Sequence, residues 1–182
     1  RVVHAAHEVI LSAGAVASPA ILQRSGIGDP ALLAEHGVGV VADAPEVGRN
    51  LIDHLMCAVV VSCPEPVTLV DAEKPVQLAK YLLLRKGLLT SNVGEAAAFI
   101  RTRADLPAPD VEVIFGPVPY IDHGLIDWDP GHGLAVGPVL VQPASRGEIA
   151  ITGPDPADPV RIDPRYLSAP GDLEAMIGGV RM

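Results

Sequence analysis

The chain has 182 residues, of which 49% are hydrophobic and 3% aromatic, with 18 Gly and 18 Pro. This composition is typical of a globular chain with short elements and many turns, and it argues against disorder. The net charge of -9 is spread without a basic block, which makes nucleic acid and anionic membrane surfaces poor partners, and no apolar run approaches the ~20 residues of a membrane-spanning helix.

The chain opens on a predicted strand, tight turn and helix. Residues 9–11 form a short apolar run that is typical of a strand buried on both faces. Gly14 permits a sharp turn, and Ser18 with Pro19 supplies an N-cap oxygen and a preferred first helical residue. A strand that enters a helix through Ala-Gly-Ala is usual at the nucleotide crevice of a doubly wound sheet.

A second capped helix and a polar connection follow. Asp29 and Pro30 predict a short helix over 31–36, and 38–41 follow as a predicted strand. Residues 45–54 then break every periodicity. Connections of this kind often carry function, because the scaffold positions them and leaves them accessible.

The second half is rich in strands, which are predicted over 58–62, 95–100, 110–115, 134–142 and 148–152, with helices over 74–86 and 172–177. The last two strands read as a hairpin through the turn at 144–147. We therefore expect a largely antiparallel sheet in which the strands around Val113, Val139 and Ile149 pair with one another, and residues 9–11 in a different sheet.

The run from residue 14 to residue 28 resembles the second signature of the glucose-methanol-choline (GMC) family of FAD-dependent oxidoreductases. The matching positions are Gly14, Ala15, Ser18, Pro19, Ile21, Leu22, Ser25, Gly26, Ile27 and Gly28. Many positions match at fixed spacing, so the signal is far more specific than a lone glycine motif. Segments 87–92, 95–99, 145–147 and 162–167 are also similar to family segments in the same order.

The resemblance implies FAD as the cofactor and a set of residues near it. Gly48, Asn50, Leu51, Asp53 and His54 match a family run that lies close to the flavin. The implied cofactor-binding residues are Ala13 and Gly14 through their backbone, and Asn50, Asp53 and His54.

The resemblance also implies substrate contacts by Glu112, Ile114 and Gln142. In choline-oxidising relatives a glutamate faces the quaternary ammonium from a position that Ile114 occupies here, and a histidine position near the 145–147 turn corresponds to Gln142. Both departures argue against choline as the substrate. Glu112 either faces the substrate or simply faces solvent, as an acidic residue in a strand commonly does.

No catalytic residue is assigned, because the family's catalytic histidine lies beyond residue 182, and none of the six histidines here matches it. A metal site is not expected either. The cluster Asp122, His123, Asp127, Asp129 and His132 matches no standard ligand spacing and reads as a solvated loop.

These patterns predict an α/β plus α+β chain: the end of a Rossmann-like FAD-binding domain (1–56), a substrate-binding domain with a mostly antiparallel sheet and packed helices (57–152), and a return segment with a helix (153–182). The predicted function is hydride transfer from a primary alcohol to FAD by an enzyme of which this is a central fragment. The alternative is a noncatalytic remnant or interaction module that retains the substrate-domain sheet. A Rossmann-type NAD enzyme is disfavoured because this sequence has no phosphate-binding glycine loop.

The expected partners are a small alcohol and the remainder of the same polypeptide, and a second copy of the chain is left open as a further partner. The start of the chain lacks a charged-then-apolar signal layout, so a cytoplasmic location is predicted. By itself the 182-residue chain is expected neither to retain FAD nor to oxidise alcohols, and to associate.

Overall fold

The structure, a computed structural model, describes residues 2–121, 125 and 131–182. In chain order its elements are α1 (Gly14–Arg24), β1 (Ile27–Gly28), α2 (Pro30–Glu35), β2 (Ala42–Asp43), β3 (Arg49–Leu51), β4 (Val59–Ser62), α3 (Pro75–Leu84), β5 (Ala96–Ile100), β6 (Val111–Gly116), β7 (Gly133–Leu140), β8 (Gly147–Ile151), β9 (Val160–Asp163) and α4 (Pro170–Arg181). Short 3-10 turns occur at Leu69–Glu73 and Leu88–Thr90. The predicted mixture of α/β and α+β structure is confirmed.

The chain divides into two compact units, one made of residues 1–53 and 145–168, the other of 54–144 and 169–182. The first boundary lies close to the predicted one at 56. The later part of the chain is divided differently from the prediction, because 145–168 returns to the first unit and only 169–182 belongs to the second.

The first unit contains α1, α2 and two small sheets. Strands β1 and β2 pair in parallel, whereas β3, β8 and β9 form an antiparallel sheet in that order. Its core consists of Ala20, Leu33 and Ile151, with Val38 and Val160 packed against them. The amide of Gln23 links α1 to this sheet, since it donates to the carbonyls of Val47 and Ile149 and accepts from the N–H of Ile151, all at 3.0 Å.

Three local predictions in this unit are wrong. Residues 9–11 belong to no strand in the described part of the chain. Helix α1 begins at Gly14 instead of Pro19, and Ser18 is not its N-cap, because the Ser18 hydroxyl accepts the N–H of Ala13 at 3.0 Å from within the helix. The strand predicted at 38–41 begins at Ala42, because pairing with β1 starts there.

The second unit is built on a four-stranded antiparallel sheet in the order β4-β7-β6-β5. Helix α4 packs on β7 and β6, where Gly179 lies so close to Pro138 and Val111 that a Cβ would be within 3.0 Å of both side chains. Val111, Val139, Leu140 and Met176 are its buried hydrophobic residues, together with Ala135.

The pairing of the strands around Val113 and Val139 is confirmed, since β6 and β7 are neighbours. The predicted hairpin between β7 and β8 is wrong, because β8, with Ile149, pairs with β3 and β9 in the first unit. Gly147 explains part of the pairing of β8 with β9. A Cβ at this position would overlap the carbonyl oxygen of Asp163, so only glycine lets the two strand backbones come this close. Gln23 adds the long-range hydrogen bonds that hold β8 against α1.

Of the helices in the described residues, none is both long and apolar enough to be a membrane-spanning candidate.

Candidate functional site

The start of α1 offers backbone N–H groups to a ligand. Gly14 is the first helical residue, has φ +83°, and a Cβ built on it would meet nothing within 4 Å. The helix has no side-chain cap and no acidic residue in its first turn, so the positive end of its dipole is not neutralised there. The N–H of Ala13 donates to the Ser18 hydroxyl. The N–H groups that can donate to a ligand are therefore those of the first helical turn, which begins at Gly14.

The polar run over residues 45–54 contains strand β3, and the pairing of β3 with β8 is irregular. Arg49 pairs with Glu148 and Leu51 with Gly147, and the register shifts between them. Asn50, at that irregularity, has φ +60°, a conformation that asparagine tolerates better than most residues. Its amide donates to Glu46 Oε2 at 3.1 Å.

Asp53 accepts a short hydrogen bond from the hydroxyl of Tyr166, which is 113 positions away in the sequence. The hydrogen bond to Asp53, helped by partial burial, raises the pKa of Tyr166 to about 12. Arg165 precedes it with φ +50° and binds Glu148 at 3.0 Å, which anchors this turn to β8. Tyr166 therefore positions a carboxylate that the family resemblance places beside the flavin.

Sequence reasoning did not identify Tyr166 as a site residue. It lies in segment 162–167, whose similarity to the family was noted without any role. A tyrosine in an Asp-Pro-Arg-Tyr-Leu segment carries no local signal of its partner, because the hydrogen bond forms only when β3 and β9 meet on β8.

Replacing Tyr166 by Phe should lower the free energy of unfolding by about 1 kcal/mol, the usual contribution of one such hydrogen bond. The difference between the wild type and Tyr166→Phe should be constant up to about pH 10 and then shrink. The reason is that the folded pKa of about 12 lies above the ordinary value of 10.0, so the folded state retains its phenol proton while the unfolded state loses it. Urea unfolding at increasing pH measures this difference, and Tyr81→Phe is the control for loss of a phenol elsewhere. A difference that does not change with pH would contradict the pairing.

His54 is exposed and directly follows Asp53, as the first residue of the second unit. The predictions that Ala13, Gly14, Asn50, Asp53 and His54 hold FAD stay predictions. The chemistry of the set fits FAD in one respect, since an open glycine at an uncapped helix start allows close approach of a group that carries or accepts negative charge.

The second unit holds an apolar cavity of about 190 Å³. Ile114 lies on its wall, together with Met56, Ala58, Val93, Gly94, Gly116, Val118, Tyr120, Ala135 and Gly137. No charged side chain is among these lining residues. Such a surface suits an uncharged organic group, because a cation would lose its hydration there without a counter-charge.

The other two predicted substrate residues are not beside this cavity. Glu112 shares a face of β6 with Ile114, since residues two apart in a strand point the same way, but it is not among the lining residues. Gln142 lines a different cavity of about 250 Å³ with Asp110 and the first residues of α4, and its amide donates to the Pro109 carbonyl at 3.2 Å.

Within residues 2–121, 125 and 131–182, no group of three or more His, Cys, Asp or Glu side chains is arranged to hold a metal ion. Asp122, His123, Asp127 and Asp129 lie outside the described residues. His132, the remaining member of that cluster, makes a hydrogen bond of 2.7 Å between its Nδ1 and the buried hydroxyl of Thr68.

Comparison with known proteins gives consistent results. The sequence profile of the GMC oxidoreductase family matches residues 1–56. A GMC-type oxidoreductase of Mycobacterium tuberculosis is 52% identical over 100% of this chain and 34% of its own length. An alcohol dehydrogenase [acceptor] of Pseudomonas putida is 41% identical over 96% of this chain and 32% of its own. An oxygen-dependent choline dehydrogenase of Pseudomonas aeruginosa is 38% identical over 98% of this chain and 32% of its own length.

Solved structures agree with this fold. A formate oxidase of Aspergillus oryzae, a variant solved to follow FAD modification, superposes with a TM-score of 0.84 at 26% identity over 97% of this chain and 36% of that one. The pyridoxine 4-oxidase of Mesorbium loti superposes with a TM-score of 0.75 at 29% identity, over 93% of this chain and 30% of that one. The chain thus spans about a third of the length of the curated relatives that it matches.

Proposed function

Because this chain belongs to the GMC oxidoreductase family, we propose that it forms the flavin-adjacent and substrate-contacting middle of an enzyme that oxidises a primary alcohol. The cofactor is FAD, as the family resemblance predicted. When bound, FAD supplies the hydride acceptor, and the residues of this chain bind, orient and shield the reactants.

The proposal rests first on the open start of α1. The first-turn N–H groups of this helix have no intrahelical partner, and Gly14 leaves the space above them free of any Cβ. We assign Gly14, with Ala13, to the backbone contact with the cofactor. Asn50 and Asp53 supply polar side chains to the same unit, and Tyr166 holds Asp53 in place.

The apolar cavity beside Ile114 supports a small, uncharged substrate. Tyr120 is among its lining residues, and the others are apolar or glycine. We therefore expect an aliphatic or aromatic primary alcohol to be preferred over choline. No residue of this chain is assigned as the base that removes the hydroxyl proton, and a cytoplasmic location stays a prediction.

A noncatalytic remnant or interaction module remains the second candidate. Many large apolar side chains are exposed in the described part of the chain, among them Val9, Ile10 and Leu83, each at least 80% exposed. Surfaces of this kind usually contact other protein or membrane.

The deciding experiment replaces Gly14 by Leu in the full-length protein that carries this chain and measures the dissociation constant of FAD. We expect the affinity to fall by on the order of tenfold or more, because the leucine occupies the space above the helix start. Gly37→Leu is a matched control, since Gly37 also has a positive φ, +67°, with nothing within 4 Å of a built Cβ.

Both substitutions introduce similar backbone strain, so thermal unfolding separates loss of stability from loss of the cofactor. Equal FAD affinity in the two variants would contradict the assignment of Gly14. A wild-type protein that takes up no FAD at saturating concentration would favour the noncatalytic module.

A further inference from the structure

Val93 has a backbone conformation that valine rarely adopts. Its φ is +71°, and among the described residues other than glycine that have a positive φ it is the only β-branched one. A β-branched side chain is strained in this left-handed region, because its branches crowd the neighbouring peptide groups. Val93 is also 50% exposed, so burial of its side chain does not explain why a valine lies at this position.

Short-range hydrogen bonds hold this conformation just before β5. The N–H of Val93 donates to Ser91 Oγ at 3.1 Å, and the Ser91 hydroxyl donates to Glu95 Oε1 at 2.5 Å. The Val93 carbonyl accepts the N–H of Glu95 at 3.1 Å. Because the backbone is held on both sides of Val93, the direction in which its side chain leaves the turn is also held.

This turn lies against β6 at the apolar cavity. A Cβ built on Gly94 would be 3.7 Å from Ile114 Cγ2, and one built on Gly116 would be 3.3 Å from the Val93 carbonyl oxygen. All four residues line the cavity. Strained residues are often retained at ligand sites, and the position of Val93 on this wall gives it contact with whatever the cavity holds.

The sheet gives the cavity a flat floor. Across β6 and β7, Ile114 pairs with Gly137 and Gly116 with Ala135, so these four residues share one face of the sheet. Three of them have a methyl group or no side chain, which leaves a nearly flat surface beside Ile114. A rigid ring contacts such a surface well and loses less conformational entropy there than a flexible chain does.

The volume and the wall of the cavity suit one aromatic ring. The volume is about 190 Å³, and an apolar cavity of about 150 Å³ in another protein holds benzene. Met56 lies on the wall, where a Cβ built on Gly137 would be 3.0 Å from its Sδ. A thioether sulfur makes favourable contacts with aromatic rings. One ring therefore fits, whereas a second fused ring would have to displace part of the wall.

We propose that Val93 is a specificity-determining residue, which confines the organic group of the alcohol to a single aromatic ring. This inference rests on the proposed function, because it concerns the substrate of the same site. The strained turn keeps a branched side chain on the wall of the cavity, in the space that a second ring would need. Glycine at this position would relieve the strain but leave that space unfilled.

The test follows anaerobic flavin reduction in the full-length holoenzyme by benzyl alcohol and by 2-naphthylmethanol. The apparent dissociation constant of the wild type should be lower for benzyl alcohol by on the order of tenfold or more. In Val93→Gly the two constants should lie within about threefold of each other. Its Tm should be no lower than that of the wild type, because relief of the strain offsets the lost contacts. Val93→Ile keeps a branched side chain and should retain the discrimination.

Arg85→Gly is the matched control, since Arg85 also has a positive φ, +53°, but is not among the lining residues. It should leave the preference for benzyl alcohol unchanged. Calorimetry with toluene and 2-methylnaphthalene measures binding separately from oxidation, because these compounds carry the same rings without the hydroxyl group. The wild type should bind toluene more tightly, and Val93→Gly should bind the two with similar affinity.

Three results would overturn the assignment of Val93. The first is a wild type that binds neither hydrocarbon, or binds both equally. The second is a folded Val93→Gly variant that keeps the wild-type discrimination. The third is a Tm of Val93→Gly well below that of the wild type, which would show that the valine serves stability. If the hydrocarbons bind with the expected selectivity but neither alcohol reduces the flavin, the assignment of Val93 holds and the proposed alcohol oxidation is wrong.

Discussion

Gly48→Ala should destabilise the first unit by about 4 kcal/mol or more, within the range reserved for severe steric and backbone faults. Gly48 has φ +89°, and a Cβ at this position would overlap the carbonyl oxygen of Ile149 and crowd the amide of Gln23. Neither partner can move freely. The Ile149 N–H donates to the Gly48 carbonyl at 2.6 Å, and the Gln23 amide is held by two carbonyls.

The matched control for this change is Gly37→Ala. Gly37 has φ +67° in the same unit, but a Cβ there meets nothing within 4 Å, so the cost should be about 1 kcal/mol of backbone strain. Urea unfolding followed by far-ultraviolet circular dichroism measures both free energies. Equal losses would mean that β3 and β8 are not packed as closely as the structure has them.

Loss of Gly48 should also remove the cofactor. The residue directly precedes β3, so displacement of β8 would move Asn50 and Asp53 from their positions. We expect FAD retention to fall together with stability in Gly48→Ala, whereas Gly14→Leu should lose FAD with much less effect on stability. Comparison of the two variants therefore separates a packing glycine from a contact glycine.

Ile114→Glu should reverse the substrate preference of the full-length enzyme. A carboxylate in the apolar cavity removes contact area for an alkyl or aryl group, and kcat/KM for such alcohols should fall roughly tenfold to a hundredfold. The same carboxylate offers a counter-charge to choline, so turnover of choline should rise relative to the neutral alcohols. Burial raises the pKa of the introduced carboxyl, so the gain for choline should increase with pH.

Glu112→Gln is the control, because it removes a carboxylate on the same face of β6 but outside the lining of the cavity. It should leave the preference between neutral alcohols and choline unchanged. If the wild type already turns over choline faster than aliphatic and aromatic alcohols, and Glu112→Gln abolishes this, Glu112 is the cation partner and the cavity assignment is wrong.

The sequence by itself determined the family and most of the local elements. Helix α2 begins where Asp29 and Pro30 predict it, and the Asp29 carboxylate accepts the N–H of Ala31 at 2.9 Å. Helix α3 and strands β5 and β6 lie within one or two residues of their predicted ranges. These features depend on caps, prolines and periodicity within a few residues, so the chain carries their signals locally.

Only the tertiary structure decided which strands pair and which side chains meet. Strand β8 reads as a hairpin partner of β7 from its position, but Gly147 and the buried amide of Gln23 direct it to β3 and β9. The pairing of Asp53 with Tyr166 depends on that choice. The same holds for α3, since its periodicity predicts a helix but does not say which side faces solvent. Those outcomes depend on contacts between residues far apart in the chain, and no local pattern encodes the partner.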